Sequence, residues 1–178
     1  SKRFIVSKKI AKEFTELFVQ KAQKLKVGDP LSDSTDIGPL SSMKSLDNID
    51  SMVKDAVNLG GELLTGGQRI GSVGAFYKPT EINKVNSKMR VSKEETFGPV
   101  APIMIVEDEV EAIHAANDSE FGLGGSIWTR DLDKAQKLSL EMECGIVTVN
   151  NMVASDPRVP FGGIKHSGFG RELSRYGM

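Results

Sequence analysis

Residues 100–149 read VAPIMIVEDEVEAIHAANDSEFGLGGSIWTRDLDKAQKLSLEMECGIVTV, and the order of patterns inside this stretch decides the fold class. Val100 to Val106 is apolar throughout. Asp108 to Asn117 repeats its apolar residues at helical spacing, Ser126 to Thr129 is a second short strand-like run, Asp131 to Met142 is helical again, and Ile146 to Val149 closes the series. Both helical stretches start on aspartate, whose carboxylate accepts from the orphan amides of a first turn, and Asp108 has Glu111 three residues on as in a capping box. Strands without polar alternation are buried on both sides. The series therefore predicts an α/β fold, a mainly parallel open sheet with helices on both faces and right-handed crossovers. Pro102 has no amide hydrogen and predicts that its strand is bulged or near an edge at that point.

Upstream, Arg3 to Val6 reads as a strand and Ser7 as the cap of a helix that carries Ile10, Phe14, Leu17, Phe18 and Leu25 on one buried face until Gly28-Asp29-Pro30 stops it. A polar loop through Ser32, Asp33, Ser34 and Asp36 leads to Gly38-Pro39. Met43, Leu46, Ile49, Met52, Val53, Ala56 and Val57 then mark a second amphipathic helix, with Gly60-Gly61 placed for a left-handed cap. Glu62 to Thr65 reads as a short strand. The glycine-rich Gly66 to Gly74 and the extended Tyr77-Lys78-Pro79-Thr80 make the middle of the chain loop-rich.

Composition narrows the function. With 23 basic and 24 acidic residues among 178, the chain has no electrostatic footprint for nucleic acid or anionic lipid, so neither nucleic acid nor a membrane is an expected partner. No run approaches the roughly 18 apolar residues of a membrane span, and no signal-peptide core follows the first residues. Cys144 is the one cysteine, which excludes a disulfide framework and points to a reducing compartment, the cytoplasm. His114 and His166 stand far apart, and no metal site is expected. The chain opens on an apolar strand with no initiator methionine and reads as a piece of something longer.

Four stretches invite chemistry. Gly168-Phe169-Gly170-Arg171-Glu172 lacks the third glycine of the dinucleotide fingerprint and has no strong strand before it, so it reads as a structural turn. Cys144 falls between a helix and an apolar strand, where a small, weakly polar side chain packs rather than reacts. Glu94-Glu95-Thr96-Phe97-Gly98-Pro99-Val100 sets two acids and an aromatic just before a strand; composition alone makes it a solvated turn with one hydrophobic anchor. Asn150-Asn151 and the loop Met152 to Pro160 lie after the C-terminal end of a strand, where open α/β sheets hold ligands.

Taken together, Glu94 to Val100, Asn117-Asp118-Ser119-Glu120-Phe121-Gly122-Leu123, Cys144-Gly145-Ile146-Val147-Thr148-Val149-Asn150 and Pro160-Phe161-Gly162-Gly163-Ile164-Lys165-His166-Ser167-Gly168-Phe169-Gly170-Arg171-Glu172 resemble the aldehyde dehydrogenase superfamily in content, order and spacing, across the whole chain. Ser155 to Pro160, with the ending Arg171 to Gly177, resembles the bacterial succinate-semialdehyde dehydrogenases in particular. The resemblance implies a single partial domain over residues 1–178, the C-terminal segment of a catalytic domain without its cofactor-binding domain. It implies oxidation of an aldehyde with NAD or NADP, in which a cysteine thiolate attacks the carbonyl, hydride passes to nicotinamide, and a glutamate base delivers the water that hydrolyses the thioester.

Carried over by motif position, Glu95 resembles the glutamate that binds the nicotinamide ribose, a task that suits a carboxylate because two vicinal hydroxyls donate to it. Phe97 resembles the aromatic beside the nicotinamide ring, and Ser155 lies in the loop through which substrate enters, within reach of a distal carboxylate. Cys144 matches a non-catalytic position. The nucleophile is expected just before Ser1, the base and the phosphate turn further upstream, and an oligomerisation strand beyond Met178, so no catalytic residue is assigned within the chain and the isolated piece is expected to be inactive and to self-associate as a homo-oligomer. Two other readings stay open: an aldehyde dehydrogenase for a short aliphatic or amino aldehyde, and a stand-alone binding or interaction module.

Overall fold

A computed structural model describes residues 2–177, with only the backbone of Tyr176. The chain divides into two compact units, Ser1–Asp108 and Glu109–Met178. No described helix is long and apolar enough to cross a membrane.

The first unit runs β1 (Phe4–Ser7), α1 (Lys8–Ala22), α2 (Met43–Asn58), β2 (Glu62–Thr65), β3 (Thr80–Asn83), a single turn α3 (Arg90–Lys93) and β4 (Val100–Val106). The sheet order is β1-β4-β3-β2, with β4 parallel to both neighbours and β2 antiparallel to β3. Parallel, doubly covered strands are what the apolar run at 100–106 calls for. Pro102 departs from expectation, because β4 is an interior strand with no shift in its register. The ladder explains how it is accommodated. The carbonyls of Pro99 and Ile103 both accept from the β3 side, from Thr80 and Val85, so by alternation Pro102 faces β1, whose pairing starts one residue later at Ile103.

Helices cover both faces. On one, Leu46, Ile49, Met52, Val53 and Ala56 of α2 pack with Ile82 and Val100; on the other, Ala11 packs with Val6 and Ile103, and Phe4 meets Phe18 at 4.9 Å between ring centroids. Ser42 caps α2 by accepting from the Ser45 amide, and at its far end Gly60, at φ 95°, and Gly61 donate back to Val57 and Ala56. Helix α1 follows expectation less closely. Ser7 makes no side-chain cap bond, Ile10 and Leu17 are exposed to one side of the Ala11-Phe14-Phe18 stripe, and the helix stops at Ala22 rather than at Gly28. Beyond it the amides of Lys26 and Gly28 are taken by the Asp36 carboxylate and the Ile37 carbonyl, which draws the chain out of the helical path. Strand β3, which follows the extended Tyr77–Thr80 in a stretch expected to be loop-rich and was not itself expected as a strand, is buried through its first three residues because β2 and β4 flank it.

The second unit runs α4 (Glu109–Asn117), β5 (Phe121–Gly122), β6 (Gly124–Ile127), α5 (Leu132–Ser139), β7 (Ile146–Val149), β8 (Ile164–Lys165) and a 3-10 turn at Ser174–Tyr176. Strands β6 and β7 are parallel, and β5 pairs antiparallel with β8. Asp131 caps α5 by accepting from Lys134. That helix ends before Met142, tightening through bonds from Leu140 to Lys137 and from Glu141 to Leu138. The strand expected at Ser126 to Thr129 starts two residues earlier, on Gly124 and Gly125, and the amide and carbonyl of Thr129 bond instead to the Asn150 side chain.

Asp50 on α2, 8% exposed, accepts from Lys54 at 2.8 Å and from Arg69 and the Tyr77 hydroxyl at 3.3 Å each. Burial pushes its carboxyl up, but Lys54, Arg69 and Tyr77 together outweigh burial and hold it below the usual carboxylate range. A depressed carboxylate stabilises the fold above its unfolded pKa and loses that contribution as pH falls through the folded one. Asp50→Ala, which leaves the Tyr77 hydroxyl without its acceptor, is expected to lower the urea-unfolding free energy at pH 7 by about 1–3 kcal/mol. Asp50→Asn is expected to reduce the loss of stability on acidification below about pH 4. Unchanged unfolding of both variants would refute this account.

Candidate functional site

In the first unit, the turn between α3 and β4 is built on Arg90. Its guanidinium grips Glu94 through two bonds, at 2.7 and 2.9 Å, and reaches Ser51 and Asn48 on α2. The same contact holds the Glu94 carboxyl below its ordinary range. One of the two adjacent acids is thereby committed to anchoring. Glu95 is exposed, and among the described residues its carboxylate has no hydrogen bond or ion pair.

Thr96 is buried, while Phe97 sits at φ 45° with its side chain 77% exposed. Gly98 fixes the turn against the core: a Cβ there would stand 2.2 Å from Ile49 Cδ1 and 2.8 Å from Leu40 Cδ2. Pro99 then accepts from Thr80, starting the β3–β4 ladder. Backbone pressed inward and ring held outward are two sides of one turn. Beside it lies an open cleft of about 700 Å³ whose lining includes Asp36, Leu40, Ser41, Tyr77, Phe97 and Pro99. Residues 36–39, expected only as part of a polar loop leading to Gly38-Pro39, line this cleft. Gly38-Pro39 was the available signal, and the bond from the Leu40 amide to the Ala75 carbonyl is what holds the segment in place.

These groups fit a nicotinamide nucleotide by their chemistry. A carboxylate with unoccupied acceptor positions suits vicinal hydroxyls, and an exposed aromatic face two residues on suits a flat ring.

In the second unit the three remaining motif stretches interlock. Gly145 donates to Gly122 at 3.0 Å, and a Cβ on Gly145 would fall 1.7 Å from the Gly162 carbonyl oxygen. Lys165 donates to the carbonyls of Asn117 and Ser119 and pairs with Glu143 at 2.6 Å; Gly122 donates to Ser167. Cys144 lies inside this knot, its thiol donating to the Ile146 carbonyl at 3.3 Å and pushed up by burial. The glycine turn is a closed loop: Phe161 and Glu172 exchange two 2.8 Å backbone bonds, with Gly168 and Gly170 at positive φ between them.

Strand β7 is followed by Asn150 at φ 53°, and the Asn151 carbonyl accepts from the Ser126 and Thr148 hydroxyls. Ser155 is exposed in the loop that follows. Its neighbour Asp156 binds Arg158 through both carboxylate oxygens, and that guanidinium holds the carboxyl at about 2. Glu95 and Phe97 thus share one turn of the first unit, and Ser155 belongs to the second.

The family model described as the aldehyde dehydrogenase family matches residues 1–178. This chain belongs to the aldehyde dehydrogenase family. It is 44% identical over 178 residues to a succinate semialdehyde dehydrogenase [NAD(P)+] of Escherichia coli strain K12, covering all of this chain and 38% of that protein. A succinate-semialdehyde dehydrogenase from Burkholderia pseudomallei superposes with a TM-score of 0.95 at 37% identity, over 99% of this chain and 37% of that one. A betaine aldehyde dehydrogenase from Staphylococcus aureus in complex with NAD+ superposes with a TM-score of 0.92 at 34% identity, over 99% of this chain and 36% of that one. The chain therefore spans well under half the length of these aldehyde dehydrogenases.

Because Ile49 is 1% exposed, it has little room to yield to a methyl group at position 98. Gly98→Ala is expected to cost about 1–3 kcal/mol through overpacking, read as a lowered thermal midpoint. An unchanged midpoint would show that the turn is free to move off α2.

Proposed function

We propose that these residues are the C-terminal segment of the catalytic domain of an NAD(P)-dependent aldehyde dehydrogenase whose substrate is succinate semialdehyde, oxidised to succinate. The observation that carries the reading is the turn before β4. Arg90 takes up Glu94 and leaves Glu95 exposed, and the packed Gly98 holds the Phe97 ring in solvent. The similarity to the Escherichia coli and Burkholderia pseudomallei enzymes supports the choice of substrate.

NAD or NADP, when bound, supplies the hydride acceptor. Glu95 accepts from the ribose hydroxyls and so fixes the sugar; Phe97 packs against the nicotinamide ring and sets its plane. Ser155 donates to the distal carboxylate of the substrate. Its single hydroxyl does not neutralise that charge, and Arg158 already serves Asp156, so the balancing cation comes from elsewhere in the whole enzyme.

In the intact enzyme, Glu95→Gln and Phe97→Ala are expected to raise KM for NAD(P)+ about tenfold with an unchanged thermal midpoint. Ser155→Ala is expected to raise KM for succinate semialdehyde but not for an uncharged aldehyde of equal length. Absence of turnover with either cofactor across several aldehydes would refute the reading. The 178-residue chain alone, whose one thiol is the half-buried Cys144 with its pKa pushed up, is expected to form no NADH or NADPH on addition of aldehyde.

A homo-oligomeric, cytoplasmic enzyme is part of the same proposal. The single cysteine supports the compartment. Assembly is supported by β6 and β7, which among the described residues pair only with each other, and by the exposure of Trp128, Leu140 and Phe169. Light scattering of the 19.3 kDa chain is expected to return a multiple of that mass, and a clean monomer would count against association.

A further inference from the structure

Glu81 is a carboxylic acid where the fold offers it nothing. It is 1% exposed, and neither of its carboxylate oxygens has a hydrogen-bond partner. Its register partners are Ala101 on β4 and Thr65 on β2, so by alternation its side chain lies on the same face as Ile103, the face packed with Val6 and Ala11. Two further buried oxygens make no hydrogen bond, Asn83 Oδ1 two residues along that face and the hydroxyl of Thr15 on α1, whose proton is not given to Glu81.

The elements around this face offer no counter-charge. Strand β4 presents Ala101 and Ile103, β1 presents Phe4 and Val6, and the inward side of α1 presents Ala11, Phe14, Thr15 and Phe18, none of them ionisable. The ionisable residue on β2 is Glu62, opposite Asn83, itself an acid and paired with Lys84 at 3.2 Å. An anion at position 81 would be buried with no hydrogen bond made to it and, among the described residues on these elements, no cation facing it, a costly state for a carboxylate.

We propose that Glu81 is a proton-operated latch in the first unit: protonated, it lets the sheet close against the α1 layer, and ionised, it drives that layer open. Burial alone pushes this carboxyl from 4.5 to about 7. For a raised carboxyl the sign is opposite to that of Asp50. Below the unfolded value both states are protonated and nothing is lost; between 4.5 and about 7 the unfolded chain ionises first and stability falls; above that the loss stays constant. Asp50 and Glu94 shift downward and act below this window. His114 and His166 belong to the second unit and are shared by every variant below.

The test is amide exchange across α1, corrected for intrinsic rates, on the 178-residue chain from pH 5 to pH 8, comparing wild type with Glu81→Gln and Glu81→Leu. The wild-type opening constant for α1 is expected to rise on the order of a hundredfold over that range, while both variants stay flat. The leucine variant keeps the comparison valid if the glutamine variant does not fold. A wild-type profile that is flat, or one that either variant reproduces, overturns the latch.

Discussion

The parallel ladders on either side of β4 are the constraint from which the first unit is built. Because β4 is bonded to β1 on one edge and to β3 on the other, its two faces are left for the helices, and Val100, Pro102, Ile103 and Val106 are buried there. The residues that enter β4 inherit that rigidity. Thr96 goes inward, Gly98 leaves no room for a side chain against Ile49 and Leu40, Glu95 and Phe97 stay outside, and Arg90 ties the start of the turn to α2. A turn anchored by the buried Thr96, by the close fit at Gly98 and by Arg90 can hold an aromatic ring in water without the ring collapsing onto the surface.

The second unit achieves order differently. Its strands are two to four residues long and too short for a sheet to dominate. Cohesion comes from backbone meeting backbone at glycine and from side chains that bind carbonyls, above all Lys165 on the last turn of α4, where an ammonium also answers the negative end of the helix. The motif stretches that looked like separate signatures are separate only in sequence; in space they are one knot.

This difference accounts for what sequence alone disclosed. Where apolar residues repeat at helical spacing, as in α2, or run nearly unbroken, as in β4 and β7, the pattern was sufficient to place the element, and the Gly60-Gly61 cap and Asp131 were legible because each performs a local task. Strand β3 was not, since Thr-Glu-Ile-Asn carries no period long enough to read and is buried only because of neighbours distant in the chain. The end of α1 was misjudged for a related reason: Asp36 and Ile37, ten residues away, supply the partners that unwind it. Of the site, motif position named Glu95, Phe97 and Ser155. Nothing in the spelling of Glu94-Glu95 said which acid is held by Arg90, and the cleft wall formed by Asp36, Leu40 and Ser41 is a product of tertiary packing.

The contact between Gly145 and the Gly162 carbonyl has a consequence for how such a protein diversifies. Neither strand nor loop can yield there to even the smallest side chain, so variation is excluded from the knot and displaced to its margins. The segment from Met152 to Pro160 has its root held by the Asn151 carbonyl and its far end by the Phe161–Glu172 bonds, while most of its side chains face water. It is a free panel in a fixed frame, the place where descendants of this chain can alter which molecules they admit without disturbing how they fold.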